Sequence, residues 1–200
     1  LLQEEVPGPL GGSQREVVEI LQHNVGALQQ QIEGLLSLNA AAFEGRHLDL
    51  HKVDLPAFLN TVVQRRDFHA QSKQLSVVVD CVGQTQASID PEKMSVVLDN
   101  LLSNAIDFSP EGGEIRLVAA RTGTGLRFEC IDQGPGVAPE DVQRIFDPFV
   151  QGQRAAPTPR HGSGVGLSIV RELVRAMGGS VSLLPTGQGA HFCVELPDEK

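Results

Sequence analysis

Three short stretches of this chain carry residues able to handle phosphate, a hard cation and a flat heterocycle. In the first, Asn100, Asn104 and Asp107 follow at i, i+4 and i+7, which on a helix sets three oxygen-bearing side chains along one stripe. Asparagine is a poor helix former because its amide competes for nearby backbone groups, so two of them in mid-helix call for a reason. A solvated polar face is one reading. A row of oxygen donors aimed at magnesium and phosphate is the other, since hard cations prefer oxygen. The second stretch, Asp132-Gln-Gly134-Pro-Gly136, follows an alternating apolar run. Its carboxylate only accepts hydrogen bonds, so it can accept one from the exocyclic amine of adenine and would repel the oxygen guanine presents there. Gly134 and Gly136 allow the backbone close to a flat ring, although Asp-x-Gly-x-Gly is also an ordinary turn. The third, Gly162-Ser-Gly164-Val165-Gly166-Leu167, opens a helix. Free N–H groups there, with the helix dipole behind them, attract phosphate; a glycine hinge is the alternative. The spacing matches neither G-x-G-x-x-G nor G-x-x-x-x-G-K-[ST], which argues against a dinucleotide fold and a P-loop.

The elements that must hold these stretches are legible from periodicity. A helix is predicted over 91–108, with Pro91 at its start, where a missing N–H costs little. Val97, Leu101, Ala105 and Phe108 form its apolar stripe, flanked by Leu98, Leu102 and Ile106. Residues 126–131 read as the strand before Asp132, paired in a hairpin with 114–120 through Thr122-Gly-Thr-Gly125. A last helix over 165–177 is followed by strands 181–184 and 190–196. Upstream, Leu48, Leu50 and Val53 suggest a strand, then a helix over 56–71 and strands over 75–81 and 86–89. A short helix is predicted around 140–145, and 147–163, rich in Pro, Gln, Gly and Arg, reads as a loop. The sum is a two-layer α/β sandwich over 48–200.

Ahead of it, Pro7-Gly-Pro9 forbids helix, and Ser13 is expected to cap a long helix to about 43, with Glu16 reaching back. Its seam of Val18, Leu21, Val25, Leu28, Ile32, Leu35, Asn39 and Ala42 steps by three and four, the spacing of a coiled coil or bundle. Ile20, Leu36 and Leu38 widen the stripe toward a four-helix bundle; packing on its own domain is the alternative. Glu44-Gly-Arg-His47 ends the helix and begins a linker over 44–53.

Composition narrows the function classes. With 200 residues, 40% hydrophobic and 20% charged, the chain is globular. A net charge of −9 leaves no basic surface for nucleic acid. Cys81, Cys130 and Cys193 stand alone in apolar segments and are expected to be buried thiols of a reducing compartment. No apolar run approaches the ~20 residues of a membrane span, and no signal peptide is visible. The start at Leu1-Leu2 rather than Met reads as an excised piece, with any membrane segment outside it.

In their order, these stretches resemble the sensor histidine kinases of two-component systems, within the GHKL superfamily. Asp99-Asn100-Leu-Leu-Ser-Asn104-Ala-Ile-Asp107-Phe-Ser is similar to their N box, 132–136 to the G1 box, Ile145-Phe146-Asp-Pro-Phe149 to the F box and 162–167 to the G2 box. The likeness extends over about 13–196, the early helix looking like the second helix of their dimerisation and phosphotransfer domain, so that 1–43 would be a truncated form of that region. It implies the GHKL, or Bergerat, ATP-binding fold, with ATP and Mg2+ as ligands. Asn104 would bind magnesium and Asn100 support the phosphates, with Asp107 in the same row. Asp132 would hold adenine, helped by Gly134 and Gly136. Phe146 would belong to the nucleotide site, while Gly162, Gly164, Val165, Gly166 and Leu167 would border the phosphates. Residues 146–163 would form the ATP lid, where Arg154 and Arg160 either reach the phosphates or stay on the surface.

The same resemblance implies transfer of the γ-phosphate to a histidine and onward to a response-regulator aspartate, a homodimer through the N-terminal helix, and a cytoplasmic domain of an inner-membrane sensor. Two departures stand out. The family often has a lysine or similar donor where Asp107 stands, and a carboxylate there repels phosphate unless metal intervenes. No histidine is followed by an acid: His23 precedes Asn24 in the wrong helix, and His47, His51, His69, His161 and His191 lack the acidic neighbour. Phosphorylation of this chain at the usual site is therefore not expected, and no catalytic general base is visible. Gyrase-type and mismatch-repair ATPases share the motifs but place a Glu four residues before the magnesium Asn; here Asn100 fills that position and cannot act as a base. A nucleotide-gated pseudokinase is a further alternative.

Overall fold

A computed structural model describes residues 47–152 and 164–198 together with scattered positions between 11 and 36. Its elements run β1 (His51–Asp54), α1 (Leu55–Ser72), β2 (Ser76–Val82), β3 (Gln86–Ile89), α2 (Pro91–Phe108), β4 (Glu114–Thr122), β5 (Gly125–Ile131), α3 (Gly166–Ala176), β6 (Ser180–Leu184) and β7 (His191–Pro197). β1 and β3 pair antiparallel as a small separate sheet. The other strands form one sheet in the order β2-β4-β5-β7-β6, parallel between β2 and β4 and antiparallel elsewhere.

Alternation decides which face of that sheet is covered. Ile115, Leu117 and Ala119 of β4, Leu126, Phe128 and Cys130 of β5, and Phe192, Val194 and Leu196 of β7 are buried, a period of two that directs one face at the helices. Against it pack Leu98, Leu101, Leu102 and Ala105 of α2 and Val170, Leu173 and Val174 of α3, recurring at the helical period. Several intervening strand residues carry charge: Arg116 pairs with Asp80 at 2.7 Å and Arg127 with Glu195 at 2.8 Å. The result is the two-layer α/β sandwich expected from the sequence.

The N-termini of α1 and α2 are each fixed by an aspartate, with Pro56 two residues after Asp54 and Pro91 directly after Asp90. Asp54 Oδ1 accepts from Ala57 N at 3.0 Å. Asp90 Oδ1 accepts from Lys93 N at 3.0 Å, and its Oδ2 accepts from Lys93 Nζ at 2.7 Å and Asp49 N at 3.1 Å. Burial works to raise the Asp90 carboxyl, but the Lys93 side chain, the two backbone N–H groups and the Lys93 charge together hold it below the ordinary aspartate value. The other end of α2 is capped by a cation: Lys73 Nζ donates to Ile106 O, Asp107 O and Ser109 O at 2.7, 2.9 and 3.1 Å.

Several local expectations are corrected. Residues 140–145 form successive turns, not a helix: of the bonds there, Ile145 N to Asp141 O is helical, while Asp141 N to Ala138 O and Arg144 N to Asp141 O close tighter turns. The β4–β5 hairpin turns on Gly123 and Thr124 alone, because Thr122 and Gly125 still pair. Leu48 and Leu50 precede the strand and are exposed, and Cys81 is half-buried, unlike Cys130 and Cys193. Residue 12 is already helical, and Ser13, the expected cap, lies outside the described residues. Gly11 precedes the first described helical residue and donates its N–H to Gln14 Oε1 at 3.0 Å. The described positions between 12 and 36 are helical, with Val17, Leu21, Val25 and Ile32 more than half exposed.

Candidate functional site

The three stretches meet along α2. Toward its middle, Asn100 Oδ1 lies 2.8 Å from where a Cβ on Gly166 would stand, so the start of α3 is pressed against this helix and a larger residue at Gly166 would displace the amide. At its end, the Phe108 carbonyl oxygen lies 2.7 Å from a Cβ built on Gly134, which brings the Asp132–Gly136 loop against the last turn. Eight residues separate Asn100 from Phe108, about 12 Å at 1.5 Å per residue. Asn104 lies between these contacts, half-buried and with no side-chain hydrogen bond to any described residue.

Asp132 is held in a defined orientation by backbone donors. It is 5% exposed, and its Oδ1 accepts from Gly134 N at 2.8 Å and Ala190 N at 3.0 Å. Oδ2 has no hydrogen-bond partner among the described residues, and remains able to accept from a ligand amine. Burial pushes this carboxyl up, and the two backbone bonds from Gly134 and Ala190 offset part of that rise. Gly189 makes the arrangement possible: it has φ +73, and a Cβ there would lie 1.8 Å from Asp132 O. Gly136 has φ +71, a left-handed conformation that favours glycine.

The start of α3 is an open set of donors. Val165 occupies the N-cap, fully buried, and provides no side-chain hydrogen bond to the first turn; hence the N–H groups of that turn lack a side-chain acceptor and an anion can take them. Ser168 Oγ donates to Val165 O at 2.7 Å and steadies the turn. Leu167 packs against the core. Gly164, with φ +68, accepts at its carbonyl from Phe149 N at 2.8 Å. Phe146 meets Phe192 edge-on, with centroids 6.2 Å apart, and so joins the F-box segment to the sheet.

The sequence-assigned residues thus divide in three. The structure sets Asn100, Asn104, Asp132, Gly134, Val165 and Gly166 around α2, with Asp107 half-buried one turn beyond Asn104 and Gly136 and Gly164 next to them in the chain; Phe146 and Leu167 pack against the core. Asn100 Nδ2 donates to Val96 O at 2.8 Å, so its amide nitrogen serves its own helix and its oxygen faces Gly166. Arg154, Arg160 and Gly162 lie outside the described residues. Two positions escaped sequence reasoning: Gly189 and Ala190, which orient Asp132. The signal was the Gly187-Gln-Gly189 turn ahead of the last strand, where a glycine stands next to a residue whose N–H must point inward. A cavity of about 300 Å³ opens between the 135–139 loop and the β6–β7 turn, and Asn100, Asn104 and Gly166 do not border it. Thus a carboxylate poised for an amine, an unengaged asparagine and an open helix N-terminus, spread over one helix, fit the base, metal and phosphates of a purine nucleotide in turn.

The model of the family described as histidine kinase-, DNA gyrase B-, and HSP90-like ATPase matches residues 89–200. The sensor histidine kinase GlrK of Escherichia coli (strain K12) is 36% identical over all of this chain, which covers 42% of that protein. The chain therefore spans about two-fifths of the length of that curated relative. Among solved structures, full-length ShkA in complex with AMPPNP superposes with a TM-score of 0.74 at 31% identity, over 96% of this chain and 40% of that one. The histidine kinase ThkA, in its complex with the response regulator protein TrrA, gives a TM-score of 0.73 over 99% of this chain and 55% of that one, and at 18% identity it shows the fold alone.

Proposed function

Since the chain belongs to the histidine kinase-, DNA gyrase B- and HSP90-like ATPase family and carries an ATP-binding domain like that of the sensor histidine kinases, we propose that it binds ATP with magnesium for γ-phosphoryl transfer to a histidine. One observation carries the reading: Asp132, Asn104 and the open start of α3 follow one another along α2, the order in which a base, a metal ion and phosphates would need them. Asp132 Oδ2 accepts from the adenine amine, while Gly134 and Gly136 allow the ring close to the backbone. Asn104 would hold the magnesium ion, which supplies charge neutralisation to the phosphates, and the first turn of α3 donates its N–H groups to them. Phosphoryl transfer needs mainly positioning and electrostatic stabilisation, which is what these residues provide.

Asn100 disfavours a hydrolytic role. An amide cannot take a proton from water, and its nitrogen is already committed to Val96 O. The acceptor is a histidine on another helix, and the phosphoryl group passes on to the aspartate of a response regulator. The helical region within 12–36 serves as a dimerisation helix joining two copies, the 44–53 segment links it to the ATP domain, and residues 146–163 act as the ATP lid. The domain works on the cytoplasmic side of a membrane sensor; among the described residues no helix is long and apolar enough to cross a membrane. The test is the fate of γ-labelled phosphate in the full-length parent protein. Acid-labile label on histidine is expected, whereas release of free phosphate without labelled protein would favour hydrolysis.

A further inference from the structure

The F-box segment has a second attachment, to the helix that opens on the phosphates. Arg171 on α3 donates from Nη1 to Asp147 Oδ1 at 2.9 Å. The Arg171 side chain is 25% exposed and Asp147 49%. The Arg171 Nε is buried without a hydrogen bond, with Glu172 Oε1 3.9 Å away. The guanidinium therefore lies along the protein surface with Asp147 as its hydrogen-bonded anion, rather than extending into water. Two residues further on, Phe149 takes φ +64, rare for an aromatic residue, and donates its N–H to Gly164 O at 2.8 Å. A Cβ on Gly164 would come within 2.9 Å of Phe149 C. Thus the chain on one side of residues 150–163 is tied to the chain on the other by a backbone bond, and one step back the same segment is tied to α3 by an ion pair.

A strained left-handed conformation at a non-glycine residue persists only where its surroundings over-determine it. Around Phe149 the determinants are Gly164, the Phe146–Phe192 contact that roots the segment in the sheet, and the Asp147–Arg171 pair. Gly164 directly precedes the N-cap Val165, and Gly166 rests against Asn100. A shift at Asp147 therefore passes through Phe149 and Gly164 to the donors that face phosphate.

We propose that Arg171 is a positioning residue for the nucleotide: through Asp147 it fixes Phe149 against Gly164 and so sets the start of α3. The inference deepens the ATP reading and rests on it for its nucleotide half. A partly exposed pair is worth little in stability, so the effect belongs in geometry and affinity more than in folding.

The experiment is a charge-swap cycle on the intact chain: Arg171→Asp, Asp147→Arg and the double variant, with Arg171→Lys as the conservative control. Two quantities are read, Mg-ATP affinity by calorimetry and the exchange protection of the Phe149 amide by NMR without nucleotide. Each single variant should weaken Mg-ATP by about 3- to 10-fold, the range of mutations that act on a site at a distance. Each should also lower Phe149 protection by a similar factor. The double variant should recover most of both losses, and Arg171→Lys should recover part. Asp147 lies half-exposed in a turn outside the helices, so its variant should keep the fold even where one on α3 does not. Unchanged Phe149 protection in Asp147→Arg, or a double variant no better than the worse single, overturns the proposal. If the unsubstituted chain binds no Mg-ATP, the ATP reading and the nucleotide half of this inference both fail, and the exchange arm shows that failure to be separate from the clasp.

Discussion

Replacing Asp132 by asparagine changes one atom and isolates the base-reading role. Oδ1 accepts two backbone N–H bonds, from Gly134 at 2.8 Å and Ala190 at 3.0 Å. An asparagine must direct its carbonyl oxygen at those two donors, since its NH2 group would oppose them. The NH2 then takes the place of Oδ2, the atom left for the adenine amine. One charge-assisted hydrogen bond is lost, about 1.5–3 kcal/mol, or roughly 10- to 150-fold in affinity. The two backbone donors stay satisfied, so the melting free energy should change by less than about 1 kcal/mol. The new NH2 can donate to the oxygen of guanine, so the preference for ATP over GTP should narrow or invert. Competition of ATP and GTP against a fluorescent nucleotide, measured for both proteins, checks this. An Asp132→Asn protein that melts normally and binds ATP within threefold of the original would refute the assignment of Asp132 to the base.

Other consequences follow from the same geometry. Gly189→Ala puts a Cβ 1.8 Å from Asp132 O at φ +73; it should cost about 2–5 kcal/mol on denaturant unfolding from strain and overpacking, with ATP affinity falling as well. Asp90→Ala removes the cap of α2 and should cost about 2 kcal/mol. Because the folded Asp90 carboxyl is depressed, its contribution is present above the unfolded pKa and lost as pH falls through the folded one, so acid unfolding should flatten in the variant. The Asp132 carboxyl is raised in the free domain, so its contribution to folding is fully present below the unfolded pKa and is lost as pH rises through the folded pKa. Nucleotide binding favours the ionised form, and affinity should drop on acidification through that raised pKa with a proton released on binding. Calorimetry in buffers of different ionisation heat would detect that proton, and its absence would count against the linkage.

How far the sequence alone reaches can be judged from particular elements. α2 was legible to its ends because Pro91 marks its start and the period of Val97, Leu101 and Ala105 is unbroken. The alternating strands of the hairpin are legible for the same reason, and their turn reads as longer than it is because Thr122 and Gly125 still pair with each other. Residues 140–145 misled because a helix-compatible composition there is answered by turns anchored at Asp141 and Ile145, so tertiary packing decided the outcome. The chemistry of Asp132 was readable from its residue type and glycines. The donors that orient it were not, because Ala190 acts through its backbone, 58 residues away in sequence. Likewise Arg171 and Asp147 meet only once the sheet has folded, and nothing in their spacing announces the pair.

On this reading α2 presents Asn104 to a magnesium-bound nucleotide. The most direct measurement is ATP binding by calorimetry with and without magnesium, on the chain and on its Asn104→Ala variant. Magnesium should strengthen binding to the original chain and have little effect on the variant, which keeps its Asp132 contact. Equal magnesium dependence in both proteins, or no ATP binding by the original, would contradict it.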